Sequence, residues 1–150
     1  MRRASNVNGT GPLSQGCFVH LGAYHPFLDL AIVASKTAFD KVIKDHLKGD
    51  KTRHTYDNLA PSGASCVYYE SRGLILMCFN PNKVDVHLTS VLGTIVHETT
   101  HAMQYIKEYM NNAPFGAEEE ASLADWIFTH ALDHLRQSPK MKQKMIGEIE

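Results

Sequence analysis

The sequence predicts an α+β fold, and three observations carry that prediction. Apolar residues recur at a helical period through Pro26–Lys48. Two β-prone runs, Val67–Glu70 and Leu74–Phe79, flank the short polar segment Ser71-Arg72-Gly73. Two further helical stretches fill most of the C-terminal half. The result is an N-terminal helix, a small antiparallel hairpin and two consecutive helices around one core.

Each element has a local cause. Residues 1–16 are rich in Gly, Asn, Ser and Thr and read as a flexible lead-in. In the first helix, Pro26 suits the first turn, Leu30, Val33, Ala34, Phe39, Val42, Ile43 and Leu47 supply the buried stripe, and Gly49 ends it. Residues 49–63 are polar and carry Pro61, so they read as loop. A three-residue hairpin loop sets Glu70 against Leu74, and counting outward sets Cys66 against Cys78. Asn80-Pro81-Asn82 makes a turn into a helix of about 25 residues over Val86–Met110, interrupted by no proline. A connector leads to a last helix from Glu118 to about Arg136, which Ser138-Pro139 terminates. The charged segment 138–150 reads as a frayed helix or tail, leaving residues 17–137 as a single domain.

Composition bounds the function. A chain of 150 residues can bury one core. A net charge of −1, with a pI near 6.7, offers no electrostatic footprint for nucleic acid or an anionic membrane. No run of apolar residues is long enough to span a bilayer, and the polar start after Arg2-Arg3 lacks the apolar segment of a signal peptide. A cytoplasmic location is the expectation. Three cysteines, Cys17, Cys66 and Cys78, are too few and odd in number for a disulfide framework.

The motif that carries chemistry is His97-Glu98-Thr99-Thr100-His101. Residues four apart on a helix share a face, so both imidazoles project side by side. Two neutral imidazoles so placed can bind one Zn²⁺, and Glu98 can take a proton from a water held there. The motif thus supplies two metal ligands and a general base.

A catalytic zinc has three protein ligands and an open position. The third candidate comes from Glu118-Glu119-Glu120, at the start of the last helix. With 100° per residue, Ala121, Ala124, Ile127, Phe128, Ala131, Leu132 and Leu135 form the apolar face. Glu120 falls within that face, Glu118 on its flank, and Glu119 points away. A carboxylate on a buried face needs a partner, whereas acidic residues at a helix N-terminus are otherwise ordinary. Glu120 is therefore the expected third ligand.

His97-Glu98-x-x-His101 followed by a glutamate on the next helix resembles the gluzincin metallopeptidases. The short chain and Glu120-Ala121 are similar to the small zincins of phage and bacterial genomes, including ImmA/IrrE-type peptidases. That resemblance implies a minimal zincin-like domain that hydrolyses peptide bonds in a peptide or protein substrate. It also implies that Leu74–Phe79 or its neighbouring strand offers an edge to the substrate. Larger gluzincins carry Glu-x-x-x-Asp, which is absent here; Asp125 stands five residues after Glu120. A regulatory protease with a single protein target is one variant of this reading. A catalytically silent binding or assembly module of zincin fold is its rival, against which the intact Glu98 argues. Two His and a carboxylate would also suit non-haem iron, but the adjacent base favours hydrolysis.

The remaining histidines are expected to be solvated or locally hydrogen-bonded. His20, His25, His46, His54 and His87 lack partners at ligand spacing, and His130 and His134 are expected at the surface near a helix C-terminus. Tyr68, Tyr69, Tyr105 and Tyr109 are candidates for hydrogen-bonding a developing oxyanion, and packing is the expected role of each.

Overall fold

The computed structural model describes residues 12–21, 27–48, 54–84, 88–111 and 116–146. Four strands form one mixed sheet in the order β1-β2-β4-β3: β1 (Cys17–His20), β2 (Asp29–Val33), β3 (Ala64–Tyr69) and β4 (Leu74–Phe79). β1 and β2 pair antiparallel, β2 and β4 parallel, and β4 and β3 antiparallel. The α+β class expected from the sequence is present, with a larger sheet than one hairpin.

The first half of the expected Pro26–Lys48 helix is instead strand β2. Asp29-Leu30-Ala31-Ile32-Val33 is buried at every position, between two neighbouring strands. A short apolar run buried on both faces lacks the alternation that marks a half-exposed strand, so periodicity alone does not separate it from helix. The helix proper, α1 (Lys36–His46), begins where Ser35 caps it: the Ser35 hydroxyl accepts from Ala38 N at 3.1 Å and donates to the Leu13 carbonyl. Inside the region read as loop, Thr55 and Asn58 form a reciprocal capping box that starts the short α2 (Tyr56–Leu59). Tyr56 then donates its hydroxyl to the Phe79 carbonyl at 2.7 Å.

The β3–β4 hairpin departs from the expected register by one residue. Tyr69 pairs with Leu74, and a 3₁₀ turn (Glu70–Arg72) with Gly73 forms the connection. Four connecting residues replace three, so Cys78 faces Ser65 and Cys66 faces Met77. A one-residue slip moves side chains to the other face. Cys66 accordingly packs with the core under the C-terminal helices, and Cys78 with the core under α1. The expected Cys66–Cys78 pair does not form.

Helices cover both faces. α1 and α2 close one side over Ala31, Val33, Leu76 and Cys78. On the other side, α3 (Leu88–Tyr109), α4 (Ala117–Leu135) and α5 (Pro139–Ile146) bury Leu30, Ile32, Ile75, Met77 and Phe79. α3 contributes Val91, Ile95, Ala102 and Ile106 to this core, at the expected 3.6-residue spacing. Residues 139–146, where a frayed helix or tail was expected, pack against α3 and bury Met141 completely. Among the described residues no helix is long and apolar enough to cross a membrane.

Candidate metal centre

His97 and His101 project from the outer side of α3, one turn apart. Their Nε2 atoms converge to 3.1 Å, with ring centroids 4.7 Å apart and planes inclined by 77°. Two nitrogens at about 2.0–2.1 Å from a tetrahedral ion stand roughly 3.3–3.4 Å apart, so this spacing needs little adjustment to grip one cation. His97 is exposed and His101 partly buried, which leaves the pair open to solvent on one side.

A residue overlooked in the sequence completes the pair. Gln104, one turn beyond His101, places its Oε1 at 3.0 Å from His101 Nδ1. A carbonyl oxygen only accepts, so Nδ1 carries the proton and Nε2 keeps its lone pair. The 101-to-104 spacing was legible as an i, i+3 helical neighbour.

Glu98 lies about 100° round the helix from His97, on the flank of the buried face. Only 5% of it is exposed, and its Oε2 is buried without a hydrogen-bond partner. Burial pushes its carboxyl pKa upward, against the opposing pull of His97 and His101. The result is a carboxylate more basic than an ordinary glutamate, beside two imidazoles.

Glu120 does not join them. Its carboxylate is ion-paired with Lys107 of α3, both side chains well exposed. It also borders an open groove between α3 and α4 of about 510 Å³, lined by Val96, Thr100, Met103, Ala124 and Phe128. On α3 that groove lies to the opposite side of the imidazoles from Glu98. α4 is also rotated from the expected face. Its buried stripe is Leu123, Ile127, His130, Ala131, His134 and Leu135, whereas Ala121 is exposed and Ala124, Phe128 and Leu132 are only partly covered. His130 and His134 join the stripe and Phe128 and Leu132 turn partly outward, while Glu120, three residues before Leu123, stays in line with the stripe at the first turn of α4. Glu118 and Glu119 are exposed, and exposed Asp125 lines the same groove. Among the described residues, no set of three His, Cys, Asp or Glu side chains is placed to hold a metal ion.

The strand beside α3 is β3, and it is the edge of the sheet; β4 is interior, paired on both sides. Tyr105 links helix to edge strand by donating its hydroxyl to the Cys66 carbonyl at 3.4 Å. Tyr68 packs on Tyr105 and Tyr109, with ring centroids 5.5 and 6.3 Å apart. Tyr69 points elsewhere, to His54 Nδ1 at 2.9 Å.

The other histidines divide. His20 Nδ1 bonds the buried Asp29 at 2.7 Å, and His46 stacks on Phe18. His130 and His134, expected at the surface, are buried at 5% and 0% exposure; His130 Nδ1 donates to the Trp126 carbonyl at 2.7 Å. His25 and His87 lie outside the described residues. No protein-family model, characterised protein or solved structure matches this chain.

Proposed function

We propose that the chain is a zinc-dependent hydrolase of peptide bonds, with His97 and His101 as metal ligands and Glu98 as general base. The observation that carries this reading is the convergence of two Nε2 atoms at 3.1 Å, one of them left bare by the Gln104 hydrogen bond. The orphaned Glu98 Oε2 beside them supports it further, because a buried carboxylate without a partner is costly unless it has work to do. A purely structural pair of histidines needs no such neighbour.

Zinc held there would polarise the scissile carbonyl and acidify a water molecule. Glu98 accepts the proton of the attacking water and delivers it to the departing amine, a task that its raised pKa suits. The outer edge of β3, which pairs with no further strand among the described residues, takes the substrate as an added antiparallel strand, its backbone supplying the hydrogen bonds. Glu120 is the third ligand in this reading, and its carboxylate must leave Lys107 to serve.

The pairing of Glu120 with Lys107 is also the observation that favours a second reading, a zincin-like module that binds without cleaving. Metal analysis of natively purified protein separates them. About one zinc per chain, lost in His97→Ala and in Glu120→Ala, together with peptide hydrolysis abolished by Glu98→Gln, is the expected result. Zinc retained in Glu120→Ala but lost in His97→Ala moves the third ligand to another residue. A wild type that takes up no zinc overturns the proposal.

A further inference from the structure

We infer that Gln104 is a positioning residue for His101: its side-chain carbonyl holds the Nδ1 proton and thereby aims a bare Nε2 at His97. Gln104 is exposed, so it contributes little to the core, and its Oε1 lies 3.0 Å from His101 Nδ1. The two residues are three apart on an uninterrupted helix, which fixes their separation without help from any other element.

The chemistry follows from what each atom can carry. A neutral imidazole has one N–H, and its place is set by the bond the other nitrogen makes. The amide oxygen of Gln104 accepts, so the proton stays on Nδ1. Nε2 of His101 then presents a lone pair toward His97 Nε2, 3.1 Å away. Without a cation, the remaining N–H between the two rings belongs to His97 and is donated to His101. For both rings to hold one cation, the His97 proton would pass from Nε2 to its own Nδ1 through solvent, whereas the His101 lone pair is already free on Nε2. Partners of this kind orient metal-binding imidazoles and raise their basicity. The tautomer is independent of the zinc reading, whereas its effect on metal affinity rests on that reading.

The test is long-range ¹H–¹⁵N spectroscopy of the metal-free protein, paired with titration by Zn²⁺ alone. The wild type is expected to show His101 protonated on Nδ1. Gln104→Leu should move His101 toward the Nε2–H form and weaken Zn²⁺ binding by about 10- to 100-fold. Gln104→Glu, which keeps the acceptor, should restore both the tautomer and the affinity. Far-ultraviolet circular dichroism confirms that each variant is folded. An Nε2–H form of His101 in the wild type overturns the inference, as does a Gln104→Leu protein with unchanged tautomer. A tautomer that responds as expected in a protein that binds no Zn²⁺ upholds Gln104 as the positioning group and removes the zinc reading instead.

Discussion

Lys107 of α3 holds Glu120 of α4 in an ion pair across the groove between the two helices. Both side chains are substantially exposed, at 38% and 40%, so water and salt screen the attraction. A double-mutant cycle with Lys107→Ala and Glu120→Ala should return a coupling of about 0.2–1 kcal/mol that shrinks in high salt. The same variant tests the metal centre. If Glu120 is the third ligand, Lys107→Ala releases its carboxylate and Zn²⁺ binds more tightly, by roughly the factor of 1.4–5 that the coupling represents. An unchanged affinity removes Glu120 from the ligand set.

The three thiols should resist modification in the folded protein. Burial pushes the Cys17 and Cys78 thiols up to about 12, and Cys66 higher still, with smaller additions from Asp133 on Cys17 and from Glu98 on the other two. The reactive thiolate is correspondingly scarce. Labelling with an aromatic disulfide reagent at about pH 8 should be at least roughly 100-fold slower in native protein than in denaturant. Mild oxidation should leave Cys66 and Cys78 unlinked, since they occupy opposite faces of the sheet. A rapidly formed Cys66–Cys78 bridge would contradict the hairpin register.

What the sequence made legible were the elements with one wet face. α3 shows this best: its apolar residues repeat at 3.6, its exposed face is polar but for Val96, and His97 and His101 fall on one side as their spacing requires. Where both faces are dry the pattern disappears, which is why the sequence of β2 resembles the start of a helix. α4 misled for a different reason. His130 and His134 are buried by their neighbours rather than by their own polarity, and counting them as surface groups rotated the expected face by part of a turn. The hairpin register turned on whether Glu70 pairs or turns, a choice that Gly73 and its left-handed backbone decide.

Gly73 is the position where a single methyl group should cost most. Its φ is +58°, a conformation that strains any side-chain-bearing residue, and a Cβ there would lie 2.3 Å from the Phe27 carbonyl oxygen. The backbone cannot simply move away, because Asp29 N donates to the Gly73 carbonyl at 2.9 Å and ties β2 to the turn. Gly73→Ala should therefore lower stability by about 2–4 kcal/mol, read from the urea midpoint at constant slope. Gly93, with open space where its Cβ would stand, provides the control. Gly93→Ala should stabilise α3 by about 0.5–1 kcal/mol, as expected for a helix interior.

Glu98 should trade stability for chemistry. Its native pKa is raised by burial, so the folded state favours the protonated carboxyl more than the unfolded state does. The stability that this group contributes is present below its unfolded pKa and is lost as pH rises through its native pKa. Glu98→Gln removes the ionisation and keeps the shape. In metal-free protein the variant should gain on the wild type as pH is raised through the native pKa of Glu98. Thermal melts of both proteins across that range would show the gap opening upward in pH; a gap that opens downward would mean that the carboxylate is stabilised by a partner. Under the hydrolase reading the same substitution should reduce peptide cleavage by about 10²–10⁴-fold while leaving zinc bound, because Glu98 moves protons and holds no metal.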